Sequence, residues 1–257
     1  TIGDVLKKLP GITVEDNGVI KYQGTAINRF YIENLDMLQG RYNLATEGIR
    51  AEDVATVQVL ENHEHINALQ DQTAPGSAAI NLRLKDKAKG VWSKGADLSG
   101  GGYADGMLWA ATLQAMYFSK AEQHLIRYSG DDLGRGYDVA TVHYDASMGD
   151  GNQMVDIVRH NTSPVGNSLF GYHHGVNLNN LAKLSEHQTL NYNFNYSHQL
   201  SHGNSFSQTT YIQPDDSEVL LSEDIADRIH TNAADLQLTY ENNADRLYFN
   251  NTLSFSG

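Results

Sequence analysis

Leu190-Asn191-Tyr192-Asn193-Phe194-Asn195-Tyr196-Ser197 is the stretch on which the fold class turns. Successive residues of a β-strand face opposite sides, so this segment puts Leu, Tyr, Phe and Tyr on one face and amides with a serine hydroxyl on the other. Leu247, Phe249, Leu253 and Phe255 repeat the pattern against Tyr248, Asn250, Thr252 and Ser254. Leu236, Leu238 and Tyr240 do so against Gln237 and Thr239. Further strand candidates run over 91–101, 108–118, 123–133 and 172–184, and helical periodicity is nearly absent from residues 90–257.

The connections between these strands carry information. Phe118 to Gln123, Leu184 to Gln188 and Tyr240 to Arg246 are short turns, whereas the stretches near 134–170 and 202–230 read as long loops. Apart from a tight first hairpin at Gly102 to Gly106, short and long connections alternate. A membrane β-barrel has this asymmetry, and a β-sandwich has no reason to sort its loops by length. Charge follows the same division. Residues 1–89 hold 10 basic and 12 acidic side chains, which leaves 8 and 19 for the rest. Asp131, Asp132, Asp215, Asp216, Glu218, Glu223 and Asp224 are placed by this reading in the long loops.

Residues 1–89 mix helix and strand signals. Val5 to Leu9 reads as a short amphipathic helix stopped by Pro10-Gly11. Ile12-Thr13-Val14 and Val19 to Tyr22 read as strands about an Asp16-Asn17-Gly18 turn. Ala26 to Ile32 is another strand, Met37 to Ala45 a loop or helix, and Ala51 to Val54 the start of a short helix. Thr56 to Leu60 is apolar and β-branched, which predicts a buried strand, and Ala79 to Lys85 alternates cleanly. The fold class expected is therefore an α+β unit over 1–89 followed by about seven antiparallel strands over 90–257.

The whole chain has 257 residues, a net charge of −13 and no cysteine. Absence of cysteine rules out disulfides, zinc-thiolate sites and thiol nucleophiles. The acidic balance argues against nucleic acid as a partner, because phosphate contacts need clustered Lys and Arg. No run of 18 apolar residues is present, which excludes a transmembrane helix but not strands that need only about 9–11 alternating residues to cross. Leu253 to Gly257 reads as the middle of a strand, so the sequence is expected to be part of a longer protein; Thr1 to Asp4 carry no signal-peptide features, which then says nothing about compartment.

Two stretches of the first region resemble a known family. Leu9-Pro10-Gly11-Ile12 resembles the Leu-Pro-Gly-Val signature of the plug domain of TonB-dependent outer-membrane receptors. In that family a hairpin, a strand ending in Arg-Gly and then Ile-Asp-Gly follow; the matching positions here are Tyr22-Gln23-Gly24 and Ile32-Glu33-Asn34. Val57-Gln58-Val59-Leu60-Glu61-Asn62 resembles the family's Ile-Glu-Val-Leu-Lys-Gly, and Ala78 to Leu82 resembles the segment ending in Gly-Val-Ile-Asn. Asn34 and Asn62 replace glycines, which asparagine can do where φ is positive. Gln23 and Gln58 replace a charged Arg and Glu, which removes any charged pairing at those positions. The pattern looks closer to the divergent receptors related to the SusC-like group than to siderophore receptors.

The resemblance implies a plug over 1–89, seated in a 22-stranded barrel of which 90–257 would supply the first strands. It implies Leu9, Pro10, Gly11, Gly24, Glu33, Asn34, Glu61 and Asn62 as structural plug-motif positions. It further implies a Gram-negative outer-membrane location in contact with lipid and a small nutrient ligand imported to the periplasm. Energy would come from the TonB inner-membrane complex through a box upstream of Thr1. A surface lipoprotein is a further partner of some members. The alternative from strand pattern alone is a soluble all-β binding or adhesion module with a small α/β domain; a third is a β-rich polysaccharide hydrolase, which would need two carboxylates about 5–10 Å apart.

No catalytic constellation, cofactor motif or metal site is legible. His63-Glu64-His65 lacks helical His-Glu-x-x-His spacing, and His173-His174 face opposite sides of a strand. His198 and His202 share a face near a loop, and all are read as ordinary polar side chains. Gly100-Gly101-Gly102 and Gly134-Arg135-Gly136 lack the Gly-Lys-Ser/Thr of a phosphate loop, and Asp131-Asp132 with Asp138 miss calcium-loop spacing.

Overall fold

The computed structural model describes residues 1–15, 19–70, 72, 76–103, 106–133, 170–212 and 218–257. Asp16-Asn17-Gly18, Gly134-Arg135-Gly136, Asp138 and Asp215-Asp216 lie outside them. The alternating stretch at 190–197 belongs to a seven-stranded antiparallel sheet in which every strand pairs with its sequence neighbours. Its members are β7 (Ser93–Tyr103), β8 (Gly106–Phe118), β9 (Glu122–Asp131), β10 (Phe170–Lys183), β11 (Gln188–Ile212), β12 (Glu218–Ala244) and β13 (Leu247–Ser256). The sheet is open, with β7 and β13 at its edges.

Before it come α1 (Ile2–Leu6), β1 (Ile12–Val14), β2 (Ile20–Tyr22), β3 (Thr25–Ala26), β4 (Arg29–Ile32), α2 (Tyr42–Gly48), β5 (Val54–Leu60) and β6 (Ala79–Leu84). β1, β2 and β3 form one small sheet; β4 and β5 flank β6 in another. β4 and β6 run parallel, β5 and β6 antiparallel. Ile2, Leu6, Phe30, Ile32, Leu44, Ile80 and Leu82 build the core, and Met116, Phe118, Leu125 and Leu181 from the large sheet complete it. Gly3 lets α1 lie against α2, since a Cβ there would sit 2.9 Å from the Thr46 carbonyl oxygen.

Several expectations need correction. The first helix spans Ile2–Leu6 rather than Val5 to Leu9; Thr1, whose hydroxyl and ammonium both donate to Asp4 Oδ2 at 2.8 Å, holds its start. β5 is an edge strand, half-exposed along its length, because β6 takes the central position and absorbs the burial. The expected loop over 202–230 is a continuation of β11 and β12, paired without a break from Gln188↔Asn242 to Ile212↔Glu218. Acidic residues there suggest a solvated loop, but a two-stranded ladder satisfies its own backbone groups and tolerates charge on both faces. Among the described residues, 203–212 and 218–227 pair only with each other, forming a ribbon that runs about 33 Å past the rest of the sheet.

Candidate functional site

Alternation in the large sheet gives it two unlike faces. The face toward the N-terminal unit carries Gln123, Asn177, Asn179, Asn191, Asn193, Asn195 and Thr239, all buried. The outward face carries Leu113, Ile126, Tyr192, Phe194, Leu236, Phe249, Leu253 and Phe255, all exposed by at least a third. Soluble sheets bury the apolar face and solvate the polar one; this sheet does the reverse.

Ring side chains border the apolar face in two rows. Trp109 and Tyr128 both lie against His174, and the row continues through Tyr172 and His198 to His230, with neighbouring ring centroids 5.6–6.3 Å apart. Trp92, Tyr117 and His124 lie in mutual contact near the β8–β9 turn, and Tyr240 with Phe249 lies near the β12–β13 turn. On β8, Trp109 and Tyr117 are eight residues apart, about 27 Å along the strand and about 21 Å at a tilt of about 40°. An outer-membrane barrel has an apolar band of about 25 Å between aromatic girdles.

The polar face is held to the N-terminal unit by side-chain amides. Arg41, just before α2, reaches Asn179 Oδ1 at 3.3 Å and Gln237 Oε1 at 2.9 Å. With its oxygen turned to the guanidinium, Asn193 accepts from Arg41 Nη1 at 3.1 Å, so one side chain grips β10, β11 and β12. Gln123 Nε2 donates to the Ile32 carbonyl at 2.7 Å, and Gln114 Nε2 to that of Gly48 at 3.2 Å. Asn243 accepts from the Asn67 backbone at 2.9 Å and donates to the His65 carbonyl at 2.6 Å. Arg127 pairs with Glu47 at 3.0 Å.

Between the two parts, beside the β10–β11 turn, lies a polar cavity of about 540 Å³. Arg29, Tyr31, Asp36 and His65 line one side and Asn191, Thr239 and Glu241 the other. The Asp36 side chain is 14 % exposed and sits 3.5 Å from Arg29 Nε. Burial pushes its carboxyl up to about 6, against the pull of Arg29 and of the Gln39 N–H. Burial opposes the charge on Arg29, but Asp36 and neighbouring groups more than offset it and the guanidinium is held above its ordinary range. His65 is depressed to about 4 by burial and by Arg29; His63, whose Nε2 meets the Tyr31 hydroxyl at 2.9 Å, is lowered by the same two causes. Gln39 Oε1 and Asn191 Oδ1 border the cavity as buried acceptors with no donor among the described residues. Amides, hydroxyls and one part-buried ion pair suit a polar ligand; among the described residues no three His, Asp or Glu side chains group as metal ligands.

The motif residues fall in two places. Leu9-Pro10-Gly11, Gly24 and Glu61-Asn62 meet at one end: Gln23 N donates to the Gly11 carbonyl at 2.7 Å and the Tyr22 hydroxyl donates to Glu61. Glu33 and Asn34 lie apart from them, beside β6. Glu33 Oε1 accepts from Leu84 N at 2.6 Å and faces Arg83 and Lys89, while Asn34 exchanges hydrogen bonds with Asn81, which also donates to Gln58. Gly11, Gly24, Gln23, Glu33, Asn34 and Asn62 all take φ between +50° and +87°. The sequence pointed to Asn34 and Asn62; Gln23 and Glu33 carried no such signal. His63 and His65 lie beyond the end of β5, not in a strand. His173 faces inward and His174 outward. Arg29, Asp36 and Arg41 were missed; the only sequence signal was a cation and an anion on either side of the Ile32-Glu33-Asn34 turn.

No protein-family model matches the chain, and no curated protein matches it. Among solved structures it is similar to the alcaligin outer membrane receptor FauA from Bordetella pertussis, at 13% identity and a TM-score of 0.26 over 99% of this chain and 43% of that one. It is similar to the siderophore receptor PirA from Pseudomonas aeruginosa at 10% and 0.30, over 100% and 44%. The third is FpvA of P. aeruginosa with a heterologous pyoverdine and iron, at 16% and 0.28, over 99% and 39%. The chain spans less than half the length of each. At TM-scores of 0.30 and below, the fold rests on the chain's own geometry.

Proposed function

We propose that the chain is part of a TonB-dependent outer-membrane transporter, with residues 1–89 as the plug and 90–257 as strands of the surrounding barrel. The observation that carries this reading is the reversed polarity of the large sheet. Its apolar face is exposed between two rows of ring side chains, and its amide face holds the N-terminal unit. Lipid is the solvent that an outward apolar face needs, and a polar lumen with a plug is what an inward amide face needs. Leu9, Pro10, Gly11, Gly24, Glu33, Asn34, Glu61 and Asn62 then set the turns of the plug, and the polar cavity lies on the route between plug and wall. A soluble binding module would have to cover the same apolar face with another layer.

Transport activity is tested in a Gram-negative host producing the full-length protein. Uptake of a panel of labelled small polar nutrients, measured with and without a functional TonB complex, is expected to show at least one compound whose accumulation needs both. Correct outer-membrane insertion with no TonB-dependent uptake of, or binding to, any of them would refute the transport reading.

A further inference from the structure

The polar cavity between the N-terminal unit and the large sheet has hydrogen-bond acceptors in surplus. On the sheet side, Thr189 lies opposite Glu241 in the β11–β12 ladder, and Asn191 opposite Thr239. Asn191 is 3 % exposed, and its Oδ1 has no donor among the described residues. On the other side, Asp36 Oδ1 accepts from Gln39 N at 2.9 Å, and Gln39 holds φ of +44° just before Gly40 at +97°. That strained turn carries the Gln39 side chain to the cavity, where its Oε1 is buried and equally without a donor among the described residues.

Several donors around the same space are already spent. Asn67 Nδ2 donates to the Asn243 carbonyl, Asn243 Nδ2 to the His65 carbonyl and Gln70 Nε2 to Asn67 Oδ1. The Thr239 and Thr252 hydroxyls bond each other at 3.0 Å. Charge is spent in the same way. Arg29 and Asp36 face each other, and Lys183 and Glu186, of opposite sign, are exposed at the β10–β11 turn. His63 and His65 are depressed by burial and by Arg29, so they add no positive charge at neutral pH. Glu241 remains. Its hydrogen bonds from the Tyr248 hydroxyl and from Asn250 Nδ2 both go to Oε2, and among the described residues it makes no ion pair. Its charge acts on Arg29 less than that of Asp36 does.

We propose that this cavity binds a small organic ammonium compound, whose charged nitrogen is held by Glu241 and whose N–H or O–H donors reach Asn191 and Gln39. An ammonium group offers three donors and no acceptor, which suits a site with one carboxylate and two amide oxygens in want of donors. Water could serve the amide oxygens but would leave the buried side of Glu241 without a countercharge. At about 540 Å³ the cavity also has room for a polar body beside the nitrogen. Gln39 belongs to the N-terminal unit and Glu241 and Asn191 to the sheet, so the bound compound ties the two together. The inference rests on the docking of those two parts and not on transport.

The test is calorimetric titration of the full-length protein at pH 7 with ethanolamine, 1,4-diaminobutane and glucosamine, each beside its uncharged counterpart: ethylene glycol, 1,4-butanediol and glucose. The expected result is saturable binding of at least one amine, about tenfold or more tighter than its counterpart, and weakened about tenfold or more in Glu241→Gln and in Gln39→Gly. Glycine suits the φ at 39, so the second variant removes the amide without straining the turn. Hydrogen exchange in the same samples should show the amine protecting both 36–40 and the β11–β12 pairs around 191 and 239, while β8 and β9 exchange alike in variants and parent and so report that the variants are folded. Binding of no amine, equal binding of amine and counterpart, or undiminished binding in both folded variants overturns the proposal. TonB-dependent uptake is a separate readout: uptake without amine binding refutes only this site, and amine binding without uptake refutes only the transport reading.

Discussion

Replacing Arg41 with Met should loosen the N-terminal unit from the sheet without unfolding the sheet. Met keeps much of the apolar stem and removes the guanidinium. The structure assigns that guanidinium hydrogen bonds to Asn179 and Gln237, with Asn193 as a third acceptor in its turned orientation. Hydrogen bonds to a charged group contribute about 1.5–3 kcal/mol each, and a buried acceptor left alone costs about 1–3 kcal/mol. The gross loss is therefore about 3–6 kcal/mol. Removing a buried charge returns part of this, because its desolvation penalty also disappears. A net local loss of about 2–4 kcal/mol follows, a factor of roughly 30–1,000 in the opening equilibrium. Hydrogen exchange on the full-length protein in detergent reads this directly. The amides of Tyr42–Gly48 should exchange faster by that factor, while those of β8 and β9, which supply none of these acceptors, should keep their protection. Arg41→Lys, which can reach fewer amides at once, should fall between. Unchanged protection in α2, or equal loss in β8 and β9, would refute the clamp.

Other predictions bear on the cavity, the turns and the outward face. Asp36, raised to about 6, favours the folded state most below its ordinary pKa near 3.8 and loses that contribution as pH rises to about 6. This amounts to about 3 kcal/mol, and Asp36→Asn should abolish that slope in denaturation midpoints. His65, depressed to about 4, acts in the opposite sense: its contribution is full above pH 6.5 and lost as pH falls to about 4. His65→Gln should remove this second slope, also about 3 kcal/mol. Asn62 holds φ of +50°, so Asn62→Gly should be neutral or stabilising and Asn62→Val should cost about 1–2 kcal/mol in urea titration. Leu253→Arg, in the apolar band away from the ring rows, should destabilise the protein in lipid bilayers by about 2–4 kcal/mol, and Ser254→Arg, one residue on and facing the other way, by much less.

How far the sequence disclosed this arrangement follows from what each signal encodes. Period-two alternation encodes which residues share a face, so Leu190 to Ser197 located the amide face and the aromatic face correctly. It does not encode which face is buried, and only the placement of the N-terminal unit on Asn179, Asn193 and Gln237 settles that. Acidic composition encodes solvation, not backbone pairing, which is why 202–230 read as a loop although 202–212 of β11 pair with 218–228 of β12. Glycine and asparagine advertise positive φ, and Asn34 and Asn62 could be found that way. Gln23 and Glu33 reach the same region because surrounding contacts impose it, and nothing local announces that. Cavity residues were hardest to see: Arg29 and Asp36 on one side and Glu241 on the other come together only through the docking of two distant segments.

The central claim is that the outward face of the large sheet meets lipid while the inward face does not. These 257 residues hold no cysteine; with any cysteine elsewhere in the full-length protein replaced by serine, single spin labels can be placed one at a time along 247–256 in lipid bilayers, and their collisions with oxygen and with a water-soluble nickel chelate compared. The account predicts a period of two: Leu247, Phe249, Leu253 and Phe255 high in oxygen and low in nickel, and Tyr248, Asn250, Thr252 and Ser254 low in oxygen. Nickel access at Phe249 and Leu253 equal to that at Thr252 and Ser254 would contradict it.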